Sequence, residues 1–183
     1  MAEMNSFALD LDEVRRRARD HMDEGAVTNN YEGDVQKTIE ILNDALATEI
    51  VCVLRYKFHA IAAQGIHSEN VKEEFATHAR DEEEHADMIG ERINQLGGKP
   101  NFNPEGLLTR SATQYVEGSG LLSMIEEDLV AERIAIETYR AMVRYFANRD
   151  PTTRKMLETI LAKEEEHAND MHDLLVAQHG DPQ

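Results

Sequence analysis

Four long amphipathic segments, joined by a short, a long and a short connection, limit the folds that are open to this chain. Within each segment an apolar residue recurs every three or four positions, as on the buried face of a helix. Asp34, Ser68 and Asp150 stand where N-cap residues would start three of these helices, and Pro151 follows at the first helical position of the last one. The helices are predicted to begin at residue 35, just after Ser68, near residue 121 and at residue 151, and to end at Gly65, at Gly97-Gly98, near residue 147 and near residue 178.

The lengths of the connections predict how the four helices are arranged. Turns of about three residues within the first pair and within the second pair make each pair an antiparallel hairpin. About two dozen residues, 97–120, join the pairs, and that length suits a crossover along a helix of about 28 residues, which is about 42 Å long. The predicted fold is therefore all-α, a four-helix bundle of two antiparallel hairpins joined by a long crossover, over residues 34–180. Residues 1–33 are predicted to form an N-terminal extension with a short amphipathic helix over Leu9–Met22.

The two hairpins repeat one pattern of acidic and imidazole side chains. The first helix of each hairpin carries a Glu with a Tyr seven residues later, and the second helix carries Glu-x-x-His. The residues are Glu49 with Tyr56 and Glu82 with His85 in the first hairpin, and Glu132 with Tyr139 and Glu164 with His167 in the second. In each hairpin the Glu and the Glu-x-x-His are equally far from the turn, and residues three apart share a helix face. Four carboxylates and two imidazoles are thus expected to converge in one layer of the bundle.

The expected burial of this layer requires compensating cations. Glu49 and Glu132 interrupt apolar stripes at positions where packing favours Leu, and no Lys or Arg falls on those stripes. An uncompensated buried carboxylate costs on the order of several kcal/mol. Two divalent metal ions balance four carboxylates, and oxygen-rich ligation with imidazole and no thiolate suits iron or manganese better than structural zinc. The sequence therefore predicts a dinuclear metal site whose ligands are Glu49, Glu82, His85, Glu132, Glu164 and His167.

This arrangement resembles the ferritin-like di-iron carboxylate proteins, and within them bacterioferritin and the Dps-like ferritins. The resemblance covers about residues 34–178 and implies two iron ions per subunit, with Glu82 and Glu164 as bridging carboxylates and Tyr56 orienting a ligand carboxylate. It also implies ferroxidase chemistry, in which dioxygen or hydrogen peroxide oxidises Fe(II), and storage of the ferric mineral inside a shell of identical subunits. A di-metal oxidase, peroxidase or catalase of the rubrerythrin or manganese-catalase kind, using iron or manganese, is the alternative enzyme.

Three departures from the resemblance narrow these expectations. Glu83 stands where bacterioferritin has its haem-ligating Met, so no haem is expected. Only 16 residues follow His167, too few for the short fifth helix of the 24-subunit cages. A homo-oligomer of 12 subunits is therefore preferred, with 24 subunits as the alternative. The cysteine pair that is usual in Dps-like proteins with bacterioferritin-type sites is lacking, because Cys52 is the one cysteine.

Other polar residues near the motifs are assigned simpler roles. Cys52 is expected to be a small core residue, and His78 an ordinary, partly exposed histidine, with contact to the site as the alternative. Tyr139 is either core or a counterpart of Tyr56, and Asp81 is expected to help iron reach the site. The remaining acidic residues of the motifs are expected on the surface: Glu83, Glu84, Glu165 and Glu166.

Charge and hydropathy limit the partners. A formal net charge of −17 and a pI near 4.8 disfavour non-specific binding of nucleic acid. Arg15–Arg19 holds the one basic cluster, but acidic residues surround it, so we expect a shell-surface or subunit-contact helix there and not a Dps-type DNA-binding arm. The longest apolar run, Ile50–Leu54, is far shorter than the roughly 20 residues of a membrane span. Because the N-terminus is acidic and lacks the apolar core of a secretory signal, a cytoplasmic location is expected.

Overall fold

The structure, a computed structural model, describes residues 8–65 and 68–179, and every regular element in that part of the chain is helical. The elements are α1 (Leu11–Arg17), a 3₁₀ turn (Met22–Glu24), α2 (Val35–Ala62), α3 (Ser68–Gln95), α4 (Leu107–Arg110), α5 (Leu121–Phe146) and α6 (Pro151–His179). Helix α2 packs along α3, α5 packs along α6, and the two hairpins meet through contacts of α2 with α5 and of α3 with α6. The predicted all-α bundle of two hairpins with a long crossover is confirmed.

Side-chain caps fix where two of the long helices begin, as predicted. The carboxylate of Asp34 accepts a hydrogen bond from the backbone N–H three residues later at 3.0 Å, and the carboxylate of Asp150 does the same at 2.9 Å. Asp150 is buried and also accepts hydrogen bonds from Arg92 of α3 at 3.0 Å and from the hydroxyl of Tyr31 at 2.8 Å. One carboxylate thus ties α3, α6 and the segment before α2 together at one end of the bundle.

The N-terminal helix is shorter than the predicted span of Leu9–Met22. Helix α1 ends at Arg17, and His21 adopts a left-handed backbone conformation with φ of 50° before the 3₁₀ turn. No residue of α1 is buried, so no packed face extends this helix beyond two turns.

The crossover contains the one-turn helix α4, which sequence periodicity does not reveal. Leu107 in this turn is 7% exposed and packs against Ala47 and Val51 of α2. Arg110 donates hydrogen bonds to backbone carbonyls within the crossover at 3.1 and 3.4 Å. A single turn is too short to show a helical period, although it anchors the crossover on the bundle.

Two apolar clusters fill the bundle, and a polar layer lies between them. The first cluster contains Leu42, Leu46, Ile89, Ile93, Leu157 and Ile160, and the second contains Val71, Phe75, Met124, Ile125 and Met171. On every long helix the Glu or Glu-x-x-His of the repeat falls between the positions that supply these two clusters. None of the helices in residues 8–65 and 68–179 has the length and apolar character that a bilayer span requires.

Candidate metal centre

The four long helices bring the six residues of the repeat together in the polar layer. Helix α2 supplies Glu49, α3 supplies Glu82 and His85, α5 supplies Glu132, and α6 supplies Glu164 and His167. All six side chains are buried, the most exposed being His85 at 5%. The spacing of the repeat on two antiparallel hairpins therefore produces one compact group of four carboxyl groups and two imidazoles.

These six residues form two overlapping groups with metal-ligand geometry. One group contains Glu49, Glu82, His85 and Glu164, and the other contains Glu82, Glu132, Glu164 and His167. Within each group the ligand atoms all lie within 4.8 Å of one another. Glu82 and Glu164 belong to both groups, and each has two carboxylate oxygens.

The Nδ1 atoms of both histidines face the carboxylates. His85 Nδ1 lies 2.9 Å from Glu164 Oε1, 3.1 Å from Glu82 Oε2 and 3.3 Å from Glu49 Oε2. His167 Nδ1 lies 3.5 Å from Glu82 Oε1 and 3.9 Å from Glu164 Oε2. Each imidazole therefore presents one nitrogen to the space that the carboxylate oxygens share.

Several of these ligand atoms have no hydrogen-bond partner among the described residues. They are Glu82 Oε1, Glu132 Oε2, both carboxylate oxygens of Glu164, and His167 Nδ1. His85 Nδ1 is near Glu164 Oε1, but that contact lacks the alignment of a hydrogen bond. A buried polar atom without a partner costs about 1–3 kcal/mol. Because the unpaired atoms are mostly anionic oxygens gathered in one layer, the donor set fits bound divalent cations.

Burial and mutual repulsion raise the pKa of most carboxyl groups in the layer. Burial, and next the charge of Glu82, raises the pKa above its usual range in three groups: Glu49, Glu132 and Glu164. At Glu82 itself burial also acts to raise the pKa, but the contacts with the imidazoles of His167 and His85 outweigh it and lower the pKa. The layer therefore holds protons when no cation is bound, and a dication that binds there displaces them.

The pKa values of the two histidines are also raised. Burial disfavours the imidazolium form of His167, but its contact with Glu82 and the charge of Glu132 outweigh burial and raise the pKa to about 9. Burial also acts to lower the pKa of His85, but the contacts with three surrounding carboxylates, led by Glu164, outweigh burial and raise the pKa. In the metal-free layer these two imidazolium groups partly compensate the acidic side chains.

Two tyrosines connect the hairpins across the layer. Tyr56 of α2 donates a hydrogen bond to Glu132 of α5, and Tyr139 of α5 donates one to Glu49 of α2. Both rings are almost completely buried. Each hydroxyl occupies one oxygen of its carboxylate, so the other oxygen faces the layer. Of the two roles considered for Tyr139, the structure supports the counterpart of Tyr56.

Asp81 and His78 hold His167 from the side away from the carboxylates. Asp81 Oδ2 lies 3.0 Å from His167 Nε2, and a carboxylate can only accept, so Nε2 carries a hydrogen and Nδ1 of the neutral ring has the lone pair that a metal ligand needs. The ring of His78 stacks on that of His167 with centroids 3.9 Å apart. The expectation of a partly exposed His78 is wrong, since the side chain is 1% exposed and packs between His167 and Tyr56.

A buried network of α2, α5 and the crossover escaped sequence analysis. Arg55 and Asp128 are 1% and 0% exposed and pair at 2.7 Å. Asp128 also contacts Nδ1 of His59 at 2.8 Å, and Arg55 donates to the backbone carbonyl of Gln114 at 3.0 Å. Asp128 ends a run of three acidic residues that looks like surface charge, and Arg55 lies off the apolar stripe of α2, so no local pattern reveals the pair.

The structure agrees with the roles expected for Cys52 and for the remaining acidic residues of the motifs. Cys52 is 2% exposed in the core. The four acidic residues expected on the surface are exposed: Glu83, Glu84, Glu165 and Glu166. Glu83 pairs with Lys57 and Glu165 with Arg140.

The fold and the site together define a ferritin-like four-helix bundle, and sequence comparison assigns the same class. The sequence model of the ferritin family, described as a ferritin-like domain, matches residues 39–178. The chain belongs to this ferritin-like family, and the resemblance to bacterioferritin and Dps-like proteins is confirmed by its relatives.

The relatives come from both branches named above. The chain is 35% identical over 132 residues to the nutrient stress-induced DNA-binding protein of Synechococcus sp., covering 70% of this chain and 75% of that protein. It is 28% identical over 142 residues to the bacterioferritin of Desulfovibrio desulfuricans, covering 77% and 75%. Among solved structures, a dodecameric thioferritin, the bacterioferritin-related protein of Bacteroides fragilis, superposes with a TM-score of 0.78 at 31% identity over 81% of this chain and 89% of that chain.

Proposed function

We propose that this protein is a ferroxidase that oxidises Fe(II) at an intrasubunit dinuclear site and stores the ferric product inside a shell of identical subunits. The ligands in this proposal are Glu49, Glu82, His85, Glu132, Glu164 and His167, with Glu82 and Glu164 shared between the two ions. The observation that carries it is the pair of overlapping buried groups, which have two carboxylates in common and several ligand atoms without a partner among the described residues.

Charge supports two dications in this site. Four carboxylates carry four negative charges when ionised, and two divalent ions neutralise them without any contribution from protons. Oxygen donors with two imidazoles suit Fe(II), and they suit Mn(II) as well. We treat iron as the substrate, because the family is one of iron-storage proteins and both bacterioferritin and Dps-like relatives match the chain.

The protein residues supply binding and orientation in this reaction. Two Fe(II) ions together give up two electrons, and hydrogen peroxide accepts two electrons and two protons to become two water molecules. With dioxygen as the oxidant, the same two electrons and two protons yield hydrogen peroxide. Tyr56 and Tyr139 hold Glu132 and Glu49 in place, while Asp81 holds the ring of His167.

Rapid mixing of the protein with Fe(II) in air tests the ferroxidase proposal. Glu49→Ala and Glu132→Ala should each abolish the fast phase of oxidation and leave the helical circular dichroism unchanged. Glu165→Ala is the matched control, because Glu165 lies on α6 beside the site but is exposed. Unchanged kinetics in both site variants would mean that the ligands are assigned wrongly. A sample that turns over hydrogen peroxide with manganese and consumes no Fe(II) would support the alternative di-metal catalase or peroxidase.

We propose a 12-subunit shell, with residues 34–180 as the ferritin-like unit and residues 1–33 as an extension. The dodecameric protein of Bacteroides fragilis, which aligns over most of both chains, supports this number. Twelve copies of the 20.8-kDa chain have a mass of about 250 kDa, and twenty-four copies have about 500 kDa. Native mass spectrometry separates these assemblies, and a monomer or dimer would contradict storage in a shell.

DNA binding is a second candidate function, because some relatives, including the protein of Synechococcus sp., are named as DNA-binding proteins. The arginines of α1 argue against it, because neighbouring acidic side chains neutralise them. Arg16 pairs with Glu13 at 2.9 Å and with Asp20 at 3.1 Å. We therefore still predict no retardation of DNA in a gel-shift assay at physiological salt, where a DNA-binding arm would give a salt-sensitive complex.

A further inference from the structure

A second cluster of ligand-type side chains lies outside the dinuclear layer, between α3 and α6. Glu74 and His78 are one helical turn apart on α3, and Asp170 faces them from α6. His78 Nε2 lies 3.3 Å from Glu74 Oε1 and 3.5 Å from Asp170 Oδ2. The three ligand atoms lie within 4.8 Å of one another. The ferroxidase proposal gives no task to Glu74 or Asp170.

The hydrogen bonds of Tyr56 determine which nitrogen of His78 carries a proton. The single hydroxyl hydrogen of Tyr56 is donated to Glu132. His78 Nδ1, which lies 3.2 Å from the same tyrosine oxygen, must therefore be the donor in its contact. In the neutral ring Nε2 then carries a lone pair and no hydrogen.

That lone pair is directed at acidic oxygens. His78 is 1% exposed, and its Nε2 has no hydrogen-bond partner among the described residues. A lone pair that faces two carboxylates is repelled by them unless a cation lies in between. The cation is either a proton on Nε2 or a metal ion, and only the metal ion uses all three groups as ligands.

The distances and the exposure suit a metal ion. Two ligand atoms that are each about 2.1 Å from one ion lie about 3.0–3.4 Å apart, close to the separations seen from His78 Nε2. The side chains of Glu74 and Asp170 are each 37% exposed, which leaves room for water to complete the coordination. The charge of Asp170 raises the pKa of Glu74 next after burial, so the two carboxylates repel each other in the absence of a cation.

We propose that Glu74, His78 and Asp170 form a third divalent-cation site on each subunit, at the surface between α3 and α6. The site would bind a divalent transition-metal ion such as Fe(II), Mn(II) or Zn(II), because the donors are two carboxylates and one imidazole. The site adjoins the dinuclear layer through the stack of His78 on His167. Binding of this ion does not depend on ferroxidase activity at the dinuclear layer.

Equilibrium dialysis of the metal-free, assembled protein against Zn(II) tests the third site. The wild type should bind three ions per subunit, and the double variant Glu74→Gln/Asp170→Asn should bind two. The matched control is Glu73→Gln/Asp173→Asn, which removes the same charge from two exposed neighbours and should still bind three. A wild type that saturates at two ions, or a test variant that still binds three, overturns the proposal and shows that a proton alone compensates the cluster.

Variants of the dinuclear layer separate this proposal from the ferroxidase proposal. Glu49→Ala/Glu164→Ala should lose the dinuclear ions and keep the ion at His78, because neither residue contacts Tyr56 or His78. In crystals soaked in Co(II), anomalous scattering should place an ion about 2.0–2.2 Å from His78 Nε2 in the wild type and in the Glu49→Ala/Glu164→Ala variant. In the wild type, anomalous density in the layer alone would overturn the third site and leave the ferroxidase proposal intact, while density at His78 alone would do the reverse.

Discussion

Replacement of Asp128 by Asn tests the buried network that connects α2, α5 and the crossover. The carboxylate of Asp128 is fully buried and contacts Arg55 at 2.7 Å and His59 at 2.8 Å. Asn has nearly the same size, so Asp128→Asn removes the charge with little change in packing. Arg55 would then stay in the core without its counter-ion, and breaking a buried ion pair in this way costs about 3–5 kcal/mol. We expect Asp128→Asn to lose stability of this order.

Differential scanning calorimetry of the metal-free protein measures this loss. In a chain of this size 1 kcal/mol corresponds to about 2–4 °C in Tm, so Asp128→Asn should lower Tm by about 6–20 °C. Glu165→Gln is the control, because it removes the acidic partner of Arg140 from a surface pair worth at most about 1 kcal/mol. Both variants must be compared at one protein concentration, since assembly adds to stability. If their Tm values agree within about 2 °C, compensation of Arg55 by Asp128 does not contribute to stability as argued.

Three further predictions concern the site and the end of the bundle. Binding of Zn(II) to the metal-free protein should release protons and should weaken as pH falls, because the raised pKa values keep carboxyl and imidazole groups of the layer protonated. Calorimetric titration in buffers of different ionisation enthalpy measures the number of protons released. Tyr56→Phe and Tyr139→Phe should each slow Fe(II) oxidation or weaken metal binding by about 10- to 100-fold, and unchanged rates and affinities in both would remove the tyrosines from the site. Asp150→Asn should destabilise the protein at neutral pH: burial acts to raise the pKa of Asp150, but hydrogen bonds from Thr153 and Tyr31 outweigh it and lower the pKa. A carboxyl group with a lowered pKa stabilises the fold at pH values above its pKa in the unfolded chain, about 3.9, and this stabilisation is lost as pH falls through its pKa in the folded protein. The free energies of unfolding in urea should therefore differ between the wild type and Asp150→Asn at pH 7 and converge in acid.

The sequence predicts the bundle well because its signals are local. Asp34 and Asp150 cap helices through bonds to backbone three residues away, so their positions alone define where α2 and α6 begin. The convergence of the six repeat residues also follows from local rules, since helix periodicity sets the face and equal distances from a turn set the height. The sequence therefore predicts that these six residues meet in one layer, and the structure brings them together there.

Contacts between distant segments are what the sequence does not predict. Arg55 and Asp128 are separated by 73 positions, and neither belongs to an apolar stripe or a recognisable motif. His78 shows the same limit, since its burial depends on Tyr56 and His167 closing over it from other helices. Leu107 is buried because the crossover lies against α2, which a four-residue helix cannot signal by periodicity.

The fold tolerates a charged layer in its core because stability is supplied on both sides of it. The apolar cluster around Leu42 and Ile160 lies on one side, and the cluster around Phe75 and Met171 lies on the other. In addition, Asp150 joins α3 to α6 at one end of the bundle, and Asp128 joins α5 to α2 at the height of the second cluster. These contacts do not involve the proposed ligands, so the bundle can form before metal binds. The polar atoms left without partners in the layer then make metal binding favourable, and we infer that the same burial that costs stability in the metal-free protein gives the site its affinity for dications.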